Sequence, residues 1–279
     1  MTDPTSSRNG GRPGLAVAIA GGKGGVGKTT TSINLGAAMV QRDNSVIVIE
    51  ADLAMANLVD FLTLDLGIGT DPTLHDVLQG HVRLEAAIYE APGGLHVLPS
   101  GVTIGGYQAA DPTRLQAVID SLTVEYDYVL IDTAAGLSEE SLVPLMIADR
   151  VCLVASPRVS AVRDGKKTKE LAERFDGAVL GVIFTRSGTG SAPPIDRIAS
   201  FIGVDLLGHV PDDESVPLAQ DAGMPVVNYR PGAPAAVRYW EIAEAIDSTL
   251  SASSASVFDL EKRGSESITG QRNEGFSAQ

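Results

Sequence analysis

The chain is short of cysteine, aromatic residues and lysine, and each shortage removes a class of function. A single cysteine, Cys152, in 279 residues excludes a disulfide framework and any paired-cysteine zinc or iron–sulfur site built within one chain. Aromatics make up 5% and apolar residues 44%. The core is therefore built of Ala, Val, Ile and Leu, which suits helices packed on a buried sheet and excludes a disordered or collagen-like chain. No apolar run approaches the roughly 20 residues needed to cross a bilayer. Met1 to Gly14 is polar, rich in Pro and Gly, and lacks the apolar stretch of a secretory signal. The expectation is a flexible leader on a cytoplasmic protein. The four histidines, His75, His81, His96 and His209, show no metal-ligand spacing and are read as structural or exposed. Cys152, in an apolar run, reads as a small core residue.

Positive charge is scarce as well. Thirty-five acids face 21 bases, only six of them Lys, for a net charge of −14. Such a surface repels phosphate backbones, so DNA binding is not expected outside one small patch at Lys166, Lys167 and Lys169. The acidic, Lys-poor exterior reads as a solubility device or as adaptation to high salt, where ions screen its self-repulsion.

What remains is a regular alternation. Leu15 to Ala20 is an apolar run ending in glycines, followed by a helical stretch from about Lys28 to Gln41 and then Ser45 to Glu50, β-branched from Val46 to Ile49. Continuous runs of this kind fit parallel strands buried on both faces. Further strands are expected at Gly94–Leu98, Tyr128–Asp132, Arg150–Ala155, Ala178–Thr185 and Val204–Val210. Helices are expected at Pro112–Leu122, with Asp111 as N-cap, from Ser138, at Ala161–Phe175, at Pro194–Phe201 and at about Ala235–Leu250. The last puts Tyr239, Ile242 and Ile246 on one stripe. The fold class is α/β, a mostly parallel twisted sheet with helices on both faces, expected over residues 15–250. Residues 251–279 turn to Ser, Gly, Gln and charge, and read as a disordered tail.

Between the first strand and the first helix stand Gly22, Lys23, Gly24, Gly25, Val26, Gly27, Lys28, Thr29 and Thr30. Gly22 to Thr29 matches the Walker A pattern in the strand–loop–helix setting that gives the match force. Glycines let the backbone wrap phosphates and present N–H groups at a helix N-terminus. Lys28 reaches the β- and γ-phosphates in such a loop, and the Thr29 hydroxyl ligates Mg²⁺. Tyr128 to Asp132 is a Walker B candidate, an apolar strand ending in a carboxylate placed to hold a Mg²⁺-bound water. No guanine-reading Asn-Lys-x-Asp segment appears, so ATP is favoured over GTP.

Lys23, inside the loop, makes the stretch to Thr30 similar to the deviant Walker A of the MinD/ParA family of P-loop ATPases. The likeness extends over most of residues 15–249. It implies a P-loop NTPase fold and a lysine at position 23 that crosses a dimer interface to the partner's nucleotide. Glu50, Asp52, Asn57 and Leu58 resemble the family's switch I. Asp52 is thereby implied to position the attacking water, and Glu50, standing for the usual Asp, to lie at the Mg²⁺ shell. Thr133 to Gly136 resembles switch II, with the Gly136 N–H near the γ-phosphate and Ala134 in place of the usual Pro. Arg186 could stack on a base, and Pro211, Asp212 and Asp213 resemble the family's adenine loop. The implied function is a MinD-like ATPase, a nucleotide-dependent homodimer that positions an unknown protein partner or a cellular structure. The alternatives are a ParA-type DNA partition ATPase and a non-hydrolysing ATP-dependent adaptor. Membrane binding is expected to be weak or absent, because the only amphipathic candidate, Val257 to Arg263, is short and carries both signs.

Overall fold

The computed structural model describes residues 13–67, 69–136, 139–175, 177–188 and 194–250. Almost all of the expected leader, the whole expected tail and the Val257–Arg263 segment lie outside the described residues. Eight strands form one sheet: β1 (Leu15–Ala20), β2 (Val46–Glu50), β3 (Tyr89–Ala91), β4 (Leu95–Leu98), β5 (Tyr128–Asp132), β6 (Arg150–Ala155), β7 (Ala178–Ser187) and β8 (Leu206–Pro211). Their spatial order is β3-β4-β2-β5-β1-β6-β7-β8. All neighbours run parallel except β3, which pairs antiparallel with β4 at the edge. β1, β2 and β5 are buried almost end to end, as strands covered on both faces must be.

The helices are α1 (Lys28–Val40), α2 (Leu58–Leu62), α3 (Leu74–Gln79), α4 (Ile104–Ala109), α5 (Leu115–Glu125), α6 (Glu139–Ile147), α7 (Val159–Arg174), α8 (Ile195–Ile202), α9 (Ser215–Asp221), α10 (Val226–Tyr229) and α11 (234–250). The two faces of the sheet carry separate cores. Val17 and Ile19 of β1 pack with α1 and with Tyr239, Ile242 and Ile246 of α11. Ala16 and Ala18, pointing the other way, pack with Leu115, Ile119 and Leu122 of α5 and Ile198 and Ile202 of α8. Ten of the 13 residues of α1 are buried. At Gly36 a Cβ would come within 3.0 Å of Leu95 Cδ1 and 3.2 Å of Val48 Cγ2, so a small residue there lets the helix lie flat on the sheet. Cys152 is buried in β6.

The expected strands and long helices all form, with ends shifted by at most three residues. Three differences have local causes. Pro112–Arg114 is a 3₁₀ turn that feeds α5, although Asp111 caps it through Thr113 N as anticipated. β3 contains no apolar run and forms because Pro92 and Gly93, at φ 86°, turn the chain into a hairpin with β4. The short helices α2, α3, α4, α9 and α10 are held by tertiary packing rather than by their own periodicity. No described helix is long and apolar enough to cross a membrane.

Candidate functional site

The site lies at the C-terminal ends of β1, β2, β5 and β7, where parallel sheets leave a crevice as strand order reverses about β1. Residues 21–27 leave β1 and wrap back into α1. A Cβ on Gly21 would fall 2.6 Å from the Val154 carbonyl, and one on Gly22 2.5 Å from Asp164 Cβ in α7. The loop is thus wedged between β6 and α7. Gly25 and Gly27 take φ of 74° and 93°, a region open to glycine at little cost. The Thr185 hydroxyl of β7 donates to the Val26 carbonyl at 2.5 Å and pins the loop from its other side.

Lys28 opens α1 almost fully buried. Burial pushes its pKa down, opposed by the charges of Asp132 and Asp52. Strand register puts Asp132 beside Ile19 of β1 and beside Glu50 of β2. The Thr29 hydroxyl donates to Asp132 Oδ2 at 2.5 Å, and the Ser32 hydroxyl, one turn along α1, lies 3.1 Å from Oδ1. Burial raises the Asp132 pKa to about 6, against the Thr29 bond, the Lys28 charge and the Ser32 bond, with Asp52 adding to the rise. Thr30 accepts a hydrogen bond from Gln220 of α9 at 3.0 Å, which fastens the loop's downstream end. Gly24 and Ala135 approach each other, with 3.9 Å between a Cβ built on Gly24 and the Ala135 methyl. Gly136, at φ 95°, follows Ala135 directly and so lies next to this loop.

Asp52 stands in the loop after β2, its Oδ1 accepting from Met55 N at 3.0 Å, and is close enough to Lys28 and Asp132 to shift both. Lys23 reaches Asp164 of its own chain, Nζ to Oδ2 3.3 Å.

Two of the expected site residues carry backbone hydrogen bonds that the sequence did not announce. Glu50 is fully buried, with Oε1 accepting from the amides of Asn57 (2.5 Å) and Leu58 (2.8 Å) and Oε2 from Ser100 N (2.9 Å). Burial raises its pKa to about 7 despite those three bonds. It clamps the backbone that follows Asp52; the extra methylene relative to Asp lets it reach those amides. Asp213 accepts from Ser215 N and Ala235 N at 2.8 and 2.9 Å, tying the start of α9 to that of α11. Burial opposes its ionisation, but those bonds and the Arg230 charge hold its pKa below the usual value. Arg186, exposed at φ 51°, and Pro211 and Asp212 lie at the adjacent ends of β7 and β8, joined by Asp212 N to Ser187 O at 3.1 Å. Ser32 and Ser100 escaped the sequence reading, as did the contacts that Asp164 and Thr185 make with the loop. Of these only Ser32 carried a signal, sitting one helical turn after Lys28 on the same face.

The donor set fits a nucleotide with Mg²⁺. A buried lysine weakened by burial gains from an anion beside it. A hydroxyl and a carboxylate are hard oxygen ligands of the number Mg²⁺ takes from protein when phosphates supply the rest. Residues 17–226 match the family model described as the CobQ/CobB/MinD/ParA nucleotide binding domain. The chain belongs to this family. Among its relatives, an ATP-binding protein of Methanocaldococcus jannaschii is 36% identical over 230 residues, 82% of this chain and 86% of that one. The cell division ATPase MinD of Pyrococcus furiosus superposes with a TM-score of 0.81 at 34% identity, covering 85% of this chain and 99% of the other. The septum site-determining protein MinD of Pyrococcus horikoshii, solved with Mg-ADP, gives 0.79 at 34% identity over 84% and 96%. Of the small basic patch, Lys169 pairs with Glu173 at 2.8 Å, and Lys166 lies over the Phe201 ring.

Proposed function

We propose that the protein is a MinD-type ATPase that binds Mg-ATP, dimerises on it and is reset by hydrolysis, so that the nucleotide times its hold on a partner. The cluster of Lys28, Thr29 and Asp132, with Asp52 across from it, carries this reading. Lys28 offsets charge on the β- and γ-phosphates. The Thr29 hydroxyl and Asp132 would hold Mg²⁺, directly or through its water, and the bound ion would supply positive charge beside the phosphate oxygens. Asp52 orients a water for in-line attack, and its loop is held in register by Glu50. The Lys23 ammonium leaves Asp164 and meets the nucleotide of the facing protomer. ATP thereby builds the dimer interface and the dimer completes the site. The leader, the ATPase domain over 15–250 and the tail are the corresponding division of the chain, with the protein acting from the cytoplasm.

The test is sedimentation velocity with ATP hydrolysis measured alongside. Asp52→Ala should bind ATP, stay dimeric and hydrolyse roughly 10²-fold more slowly or worse. The same protein with ADP should be monomeric, and Lys28→Ala should lose tight nucleotide binding. Lys23→Ala should bind nucleotide as a monomer. An Asp52→Ala protein that hydrolyses at the parental rate, or a Lys23→Ala dimer of unchanged strength, refutes the assignment.

A further inference from the structure

His75 is 1% exposed and stands in the first turn of α3, a helix fixed in place at its start. Leu74 N donates to the Pro99 carbonyl after β4 at 2.8 Å. Asp76 accepts from Thr73 N at 2.9 Å in a capping box. The ring itself has no room to turn. A Cβ built on Gly101 would fall 2.6 Å from Nδ1 and 3.2 Å from Cγ, and one on Gly106 3.0 Å from Nδ1. The imidazole is thus packed against both backbones, and Nδ1, on that side, has no hydrogen-bond partner.

Nε2 lies 3.0 Å from the Leu53 carbonyl. A carbonyl only accepts, so Nε2 carries a proton and donates it. Burial pushes the ring's pKa down, which leaves it neutral with this one proton. Leu53 follows Asp52 directly in the strip between β2 and α2. One residue before Asp52, Ala51 N donates to the Asp132 carbonyl at 2.8 Å. One residue after it, the Leu53 carbonyl is held by His75. Backbone anchors on both sides leave Asp52 little freedom to rotate its chain, and Met55 N closes the turn on its Oδ1 at 3.0 Å.

We propose that His75 is a positioning residue for Asp52: its Nε2–H, held on a fixed helix, sets where the Asp52 carboxylate stands without touching the nucleotide. This rests on the reading of Asp52 as the group that orients the attacking water. In-line attack tolerates little misplacement, and a shift of about 1 Å can slow a reaction about 10²-fold. A donor already in place needs no rearrangement as the reaction proceeds. Loss of the donor therefore acts on cleavage, while nucleotide binding, which belongs to the phosphate loop, stays as it is.

The test compares full-length His75→Leu and His75→Gln with the parent. Leucine removes the donor and keeps an apolar side chain in the pocket. Glutamine restores it, because its amide nitrogen stands as many bonds from Cα as Nε2 does. Single-turnover hydrolysis should slow about 3- to 10-fold in His75→Leu, as the loss of one hydrogen bond allows, with the Mg-ATP Kd unchanged. His75→Gln should recover most of that loss. In an Asp52→Ala background His75→Leu should slow hydrolysis no further, because no carboxylate remains to be oriented. Exchange of the Met55 amide should quicken in His75→Leu, with β1 unaffected. Should His75→Leu fail to fold, the nucleotide-free parent with ¹⁵N-labelled histidine still decides: its spectrum should show the Nε2–H tautomer with an exchange-protected proton. A Nδ1–H tautomer, a His75→Gln protein no faster than His75→Leu, or an equal further loss in the Asp52→Ala background overturns the role. His75→Leu at the parental rate beside a slow Asp52→Ala overturns it alone, whereas a fast Asp52→Ala overturns the reading on which it rests.

Discussion

Asp164→Asn should tighten the ATP-dependent dimer. In the single chain Lys23 rests on Asp164 at 3.3 Å, with the lysine side chain 46% and the aspartate 25% exposed. Asp164 Oδ2 has no hydrogen-bond partner although the atom is buried, so the contact is ionic without an aligned hydrogen bond. Solvent screening of so exposed an ammonium leaves such a pair worth about 0.2–1 kcal/mol. Lys23 has to abandon it to reach a facing nucleotide, and a symmetric dimer breaks two, at a cost of about 0.4–2 kcal/mol. Removing the charge should then strengthen association by roughly 2- to 30-fold. Asparagine keeps the Cβ that packs on Gly22, so the wedge of loop against α7 survives. Sedimentation equilibrium with ATP in an Asp52→Ala background avoids hydrolysis during the run. Molar KCl should shrink the difference between the Asp164→Asn protein and its parent, because the ion pair that the substitution removes is already screened there. An Asp164→Asn dimer that is unchanged or weaker would refute the reasoning, since Asp164 would then not be competing for Lys23.

Gly22→Ala should destabilise the fold by about 1–3 kcal/mol, because its Cβ drives into α7, whereas Gly25→Ala, with nothing within 4 Å of its Cβ, should cost only the backbone's about 1–2 kcal/mol; thermal melts of the two separate crowding from conformation. Mg²⁺-dependent nucleotide affinity should be steady above pH 7 and fall as pH drops through about 6, where buried Asp132 takes up a proton; calorimetric titration across that range checks it, and a flat profile counts against Asp132 as ligand. Melting temperature should rise from low salt to molar KCl as ions screen the net charge of −14; a flat or falling curve would sink the high-salt reading and leave the ATPase reading intact.

The sheet and the phosphate loop were legible because each leaves a local mark. A strand buried on both faces must be apolar throughout, as Val46–Glu50 and Tyr128–Asp132 nearly are, and a loop that wraps phosphates must be glycine. Edge strand β3 left none, since Tyr89, Glu90 and Ala91 need only one covered face and a hairpin. Asp164 and Thr185 meet the loop only after the chain has folded back across the sheet, and no spacing announces such a meeting. Glu50 and Asp213 add a second case. Their positions matched a family pattern, but the backbone amides that each holds lie too far along the chain, or in too irregular a loop, for any spacing to announce them.

Helix α1 has so little exposed surface that it cannot slide or tilt without opening a void against Val48, Leu95 and Leu130. The phosphate end of the molecule is therefore an anvil. Whatever distinguishes one nucleotide state from another has to be expressed by the two thin strips hung beside it, 51–57 from Glu50 and 133–136 from β5. If the protein switches as proposed, changes in those strips retune the lifetime of the nucleotide-bound state while leaving the part that grips phosphate, and the stability of the whole domain, as they are.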